Sequence, residues 1–144
     1  WDDEMRDRIR RHRIDRLARV PGLETIEEPL LLAETIDRHS RPDTLLVVDC
    51  LTLWLTNLLM PAVGTGLSGD ALESQIMKLT QSIIAAPGPL VLVGNEIGLG
   101  VIPLGREVRA FVDALGRLNQ AVAAACSRAT LMAAGLPLTL KDVA

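Results

Sequence analysis

Two short continuous apolar runs punctuate the hydrophobic pattern, Thr44-Leu-Leu-Val-Val48 and Leu90-Val-Leu-Val93. Neither alternates with polar residues as a half-solvated strand does; the first is expected to be a strand buried on both faces, and the second reads as another apolar strand. Pro42-Asp43 breaks the chain before the first run, and Pro87-Gly-Pro89 before the second. Elsewhere the spacing is helical. Met5, Ile9, His12 and Arg16 share one face of a helix predicted over about Glu4 to Arg19, capped by Asp2 or Asp3. Pro29 after Glu28 suits a first helical position and predicts a short helix to about Arg38. Leu51 to Leu59 reads as an apolar helix, Asp70 can cap another to about Ala86, and a long helix is predicted from about Gly105 to Ser127. Gly64-Thr-Gly-Leu-Ser-Gly69 is the most flexible segment by composition. A third, weaker strand is predicted over Ala129 to Ala133, with Gly135-Leu-Pro137 ending it.

Strands alternating with helices predict an α/β fold with a mainly parallel sheet and right-handed crossovers. At 144 residues the chain is expected to be a single domain, 1–144, large enough to bury a core. A doubly wound domain ordinarily opens with a strand and its phosphate loop. Here the first predicted element is a helix, and three strands are few for a covered parallel sheet. The first βα unit is therefore expected to lie upstream of Trp1.

Composition narrows the function classes. Apolar residues make up 49% of the chain, which excludes a disordered segment. No stretch approaches the ~18 uncharged apolar residues of a membrane span. The charged start Asp2-Asp3-Glu4 does not read as a signal peptide. Cys50 and Cys126 have no close Cys or His partner, as suits a reducing cytoplasm rather than a disulfide framework or zinc site. Seven arginines fall between Arg6 and Arg19, and their forked donors suit phosphate. A solvated helix face with Asp7 and Asp15 as partners accounts for them equally well. With one Phe and no Tyr there is no stacking platform, so nucleic acid is not an expected partner.

The candidate chemistry sits at strand ends. Asp49 follows the first strand, where a carboxylate can reach Mg²⁺ or nucleotide, or can simply cap the helix beginning at Leu51. Asn95 and Glu96 follow the second strand in a loop whose Gly98 and Gly100 permit close approach of backbone to ligand, although an ordinary strand-to-helix turn would look the same. That loop does not match the dinucleotide fingerprint. His12, between arginines, is a candidate nucleophile, because neighbouring guanidinium charges disfavour imidazole protonation. A semi-exposed helical histidine is the plainer account. His39 reads as a helix-end surface residue. Trp54, Phe111, Leu115 and Leu118 are expected in the core. Asn119 and Gln120, polar amides within a helix, are expected to pin a neighbouring loop.

Several stretches together resemble the bifunctional adenosylcobinamide kinase / adenosylcobinamide-phosphate guanylyltransferase family. These are Asp2-Asp-Glu-Met5 with Ile9, His12 and Arg13; Thr25-Ile-Glu-Glu-Pro29; and Val47-Val-Asp-Cys-Leu-Thr-Leu-Trp-Leu-Thr-Asn-Leu58. Further on come Gly94-Asn-Glu-Ile-Gly-Leu-Gly-Val-Ile-Pro103 with Arg106, Arg109, Phe111, Asp113, Gly116 and Leu118-Asn-Gln120, and finally Ala134-Gly-Leu-Pro137. The resemblance implies a RecA-like P-loop NTPase fold and a homotrimer. It implies an enzyme that phosphorylates adenosylcobinamide with ATP or GTP and transfers GMP from GTP to adenosylcobinamide phosphate. On this resemblance His12 is the GMP-accepting nucleophile, and Arg13, Asp49, Asn95 and Glu96 bind nucleotide. Asp49 could meet Mg²⁺ or guanine. No Gly-x-x-x-x-Gly-Lys-[Ser/Thr] occurs among the 144 residues, so these residues alone are expected to lack nucleotide turnover. The alternatives are a non-catalytic remnant serving as a binding or oligomerisation module, and an Arg-rich phosphate-binding regulator.

Overall fold

The computed structural model describes residues 20, 22–101 and 103–143. The helix predicted over Glu4 to Arg19 lies outside them, and with it His12 and Arg13. In chain order the elements are α1 (Leu32–His39), β1 (Leu46–Asp49), α2 (Leu51–Leu59), α3 (Gly69–Ala85), β2 (Leu90–Val93), α4 (Arg106–Ala125), β3 (Arg128–Ala133) and β4 (Leu136–Asp142).

The two apolar runs pair in parallel, Leu46 opposite Leu90 and Asp49 opposite Val93. A parallel pair needs a long crossover, and here α2 and α3 supply it. All four helices share one core, centred on the fully buried Leu55, Leu79 and Leu118. Trp54 and Leu115 are buried in it as expected, and Phe111 packs at its margin. The sheet meets this core through Val48, Leu90 and Leu92.

The expectation that the first strand is buried on both faces is not met, and the second is one-sided as well. Successive side chains in a strand point to opposite faces, and the helical core lies on the Val48–Leu90–Leu92 side. Val47, Val91 and Val93 on the other face are 55%, 47% and 42% exposed.

Several boundaries move for local reasons. The first described helix starts at Leu32 rather than at Pro29. The Glu28 carboxylate accepts the N–H groups of Leu30 and Leu31 (2.9 and 2.8 Å) in a turn that precedes the helix. β1 begins two residues later than its apolar run, because Thr44 N–H turns back to the Arg41 carbonyl (3.1 Å). Asp70 lies in the first turn of α3, whose N-cap position belongs to Ser68.

The third strand departs furthest from expectation. β3 does not extend the parallel sheet but forms a separate two-stranded antiparallel sheet with β4. Ala133 pairs with Leu136 across Ala134-Gly135, which have φ of 52° and 77°. A two-residue turn with positive φ at both centres matches the right-handed strand twist, and glycine takes that conformation at no steric cost. Pro137 had looked like a terminator. In a two-stranded sheet every strand is an edge, and an edge tolerates a residue without an N–H. No helix among the described residues is long and apolar enough to cross a membrane.

Candidate functional site

The parallel register brings the C-terminal ends of β1 and β2 side by side. Asp49 ends one strand, and Gly94-Asn95-Glu96 leaves the other directly after Val93, the residue paired with Asp49. The Asp49–Cys50 peptide bond is cis. Cys50 takes the N-cap position of α2, so Asp49 stands one residue ahead of the helix at the exposed lip of the sheet. In α/β sheets this edge is where ligands bind.

The loop after β2 is braced from two helices. The Asn95 N–H donates to Thr52 Oγ1 in the first turn of α2 at 2.9 Å. From the middle of α4, Asn119 Nδ2 donates to the Asn95 carbonyl at 3.0 Å and to Glu96 Oε2 at 3.3 Å. Glu96 Oε1 accepts the Gly98 N–H at 2.8 Å. A side chain at Gly98 would place its Cβ 2.9 Å from that same oxygen, so the flexible Glu96 carboxylate would have to shift to accommodate it. Beyond the loop, Arg109 Nη1 donates to the carbonyls of Pro103 (3.0 Å) and Leu104, shaping the entry to α4.

The segment ahead of α1 is tied to α2, the helix that follows the strand-end acid. Trp54 Nε1 donates to the Leu30 carbonyl at 2.9 Å, and Asn57 Nδ2 to the Pro29 carbonyl at 3.3 Å. The turn's two N–H donors, Leu31 first and then Leu30, hold the Glu28 carboxyl below its usual range, with the Arg38 charge adding to them.

Of the residues singled out in the sequence, Asp49, Asn95 and Glu96 come together at this edge, whereas His12 and Arg13 lie outside the described residues. Asn119 pins the loop as its polarity within a helix suggested. Thr52 was passed over; its signal was a hydroxyl in the first turn of the helix that follows a strand-end acid. Among the described residues no three His, Cys, Asp or Glu side chains gather into a metal site. The donors at the edge are oxygens, which fit a hard cation such as Mg²⁺ that retains water and phosphate ligands.

A parallel α/β core with an acid at one strand end and a braced amide-carboxylate loop at the next defines an α/β protein with its ligand edge at the strand C-termini. The chain belongs to the cobinamide kinase / cobinamide phosphate guanyltransferase family, whose model matches residues 1–140. It is 45% identical over 140 residues to the bifunctional adenosylcobalamin biosynthesis protein CobP of Pseudomonas aeruginosa, covering 97% of this chain and 76% of that protein. It is 36% identical over 148 residues to the bifunctional adenosylcobalamin biosynthesis protein CobU of Escherichia coli, covering 97% of this chain and 80% of that one. The CobU of Salmonella typhimurium is 35% identical over a stretch of the same coverage.

Proposed function

We propose that this chain belongs to an enzyme of cobalamin biosynthesis. The enzyme phosphorylates the propanolamine hydroxyl of adenosylcobinamide with ATP or GTP, then transfers GMP from GTP to adenosylcobinamide phosphate. Two lines support the reading: the relatives are named for adenosylcobalamin biosynthesis, and the β1–β2 register sets Asp49 beside the Asn95–Glu96 loop. That edge is the nucleotide-facing surface of a RecA-like P-loop arrangement, which works as a homotrimer.

In the transfer, a ring nitrogen of His12 forms a bond to the α-phosphorus of GTP while the bond to pyrophosphate breaks. A phosphate oxygen of adenosylcobinamide phosphate then attacks the same phosphorus. The imidazole is regenerated, and adenosylcobinamide-GDP leaves. The arginines flanking His12 favour its neutral form, and Arg13 pairs with the nucleotide phosphates. Asp49 is the residue that would hold Mg²⁺, which supplies neutralising charge for the phosphates when bound.

The test is to incubate the protein, expressed from its complete reading frame, with GTP labelled at the α-phosphate and to map the adduct by digestion. Label on His12, lost together with transferase activity in His12→Ala, is expected. An adduct on another residue, or full transferase activity in His12→Ala, overturns the assignment.

A further inference from the structure

The bracing of the loop after β2 falls on both peptide groups of one residue. The N–H of Asn95 is taken by Thr52 and its carbonyl by Asn119. Thr52 follows Leu51, and Asn119 follows Leu118, two buried members of the core. Both anchors therefore stand on packed helices rather than on loops, the arrangement that holds a site residue within a fraction of an ångström. Glu96 is occupied differently. One of its oxygens accepts the Gly98 N–H and the other the Asn119 amide, so its carboxylate serves the loop's own geometry. The Asn95 carboxamide is exposed and makes no hydrogen bond among the described residues. A residue whose backbone is held twice, and whose side chain has two donors and an acceptor to spare, is built to present that side chain.

We propose that Thr52 and Asn119 are positioning residues that clamp the Asn95 peptide groups, so that the Asn95 carboxamide stands fixed toward the nucleotide bound beside Asp49. The inference rests on the nucleotide-dependent reaction proposed above. It adds a division of labour within the loop: Asn95 meets the nucleotide, Glu96 shapes the backbone, and anchors on two packed helices set the register.

Thr52→Val keeps the side-chain shape and deletes the acceptor, whereas Thr52→Ser keeps the acceptor. In the protein from its complete reading frame, Thr52→Val and Asn119→Ala are each expected to lower kcat/KM for GTP-dependent turnover of adenosylcobinamide at least about fivefold, the scale of one lost hydrogen bond. Thr52→Ser should restore it to within about twofold of wild type, and in an Asn95→Ala background Thr52→Val should add less than about twofold, because coupled residues are not additive. Amide exchange at Asn95 should speed up in Thr52→Val and not in Thr52→Ser, a readout independent of turnover. Should Thr52→Val fail to fold, Thr52→Ser and Asn119→Ala carry the comparison. Wild-type turnover with unaffected variants, or an undiminished Thr52→Val effect in the Asn95→Ala background, overturns this inference alone. A wild-type protein that neither binds GTP nor turns over removes the proposed function, and this inference with it.

Discussion

Single residues at the sheet edge and ahead of α1 carry charge in two different ways. Asp49 lies at an exposed strand end, where a charge serves a ligand better than a core. Asp49→Asn should weaken Mg²⁺-nucleotide binding by about 1.5–3 kcal/mol, roughly 10- to 150-fold in Kd, the range for a charge-assisted contact. Titration of Mg²⁺-GTP against both proteins, with thermal melts to show equal folding, checks this; unchanged affinity would remove Asp49 from the nucleotide site, and a helix cap is not its alternative because Cys50 holds the N-cap position of α2. Glu28 works within the fold. Its carboxyl is held below its ordinary value of 4.5 by the N–H groups of Leu31 and Leu30 and by Arg38. A depressed folded pKa adds stability that is fully present above the unfolded value and is lost as pH falls through the folded one. Glu28→Gln should therefore be less stable than wild type at pH 7, and the difference should close as the pH drops below 4.5. Denaturant midpoints across that acid range are the measurement; a constant difference would show that the turn does not depend on the charge.

At the scale of elements, connections are closed by side chains where the backbone cannot close them. Ser40, just past α1, is 1% exposed, and its Oγ accepts the Gly88 N–H at 3.2 Å. That bond joins the approach to β1 with the approach to β2, beside the Leu46 N–H to Pro89 carbonyl bond of 3.1 Å. Ser40→Ala leaves the Gly88 donor without its partner and should cost about 1–3 kcal/mol. Chemical denaturation reads it directly, and a loss below about 0.5 kcal/mol, the range of a neutral surface change, would mean that solvent replaces the serine. Lys141 closes the far end of α4. Its Nζ donates to the carbonyls of Ala123, Ala124 and Cys126 at 3.0, 2.9 and 2.6 Å. A helix leaves its last four carbonyls without intrahelical partners and carries partial negative charge there, and this one cation answers both. Burial pushes the Cys126 thiol up, partly offset by the same lysine.

For the whole molecule, what could be read from the sequence followed the strength of the pattern. The runs at Leu46–Asp49 and Leu90–Val93, and the long amphipathic stretch ending near Ala125, were legible because apolar periodicity is the strongest local signal. The strand-end acid and the Gly-rich loop could be placed from those runs alone. Three features could not. The one-sided burial of β1 and β2 depends on which elements lie over Val47, Val91 and Val93, which no local pattern encodes. Polarity within a helix marked Asn119 as a loop anchor, but that it and Thr52 both meet Asn95, across 24 and 43 residues of sequence, is tertiary information. β4 was missed because Pro137 carries a strong breaker signal, and only its partner Met132 shows that it sits on an edge. The family resemblance, by contrast, was carried by side-chain identities and did not depend on strand pairing.

The antiparallel hairpin shares no strand with the parallel pair. The Lys141 amine ties it to the end of α4, while the Val143 N–H to Ser127 carbonyl bond of 2.9 Å only closes the hairpin's own open end. Two sheets so joined need not melt as one cooperative unit, and proteins open in such sub-global pieces. The hairpin should form the lower rung, opening while β1 and β2 stay closed. Lys141→Met should lower that rung by about 1–2 kcal/mol, the worth of a well-placed cation at a helix end. Amide exchange would then quicken across Arg128–Asp142 and stay unchanged at Leu46–Asp49 and Leu90–Val93; equal acceleration in both would show a single unit. On this view the far end of the chain can breathe without disturbing the edge where Asp49 and Asn95 stand.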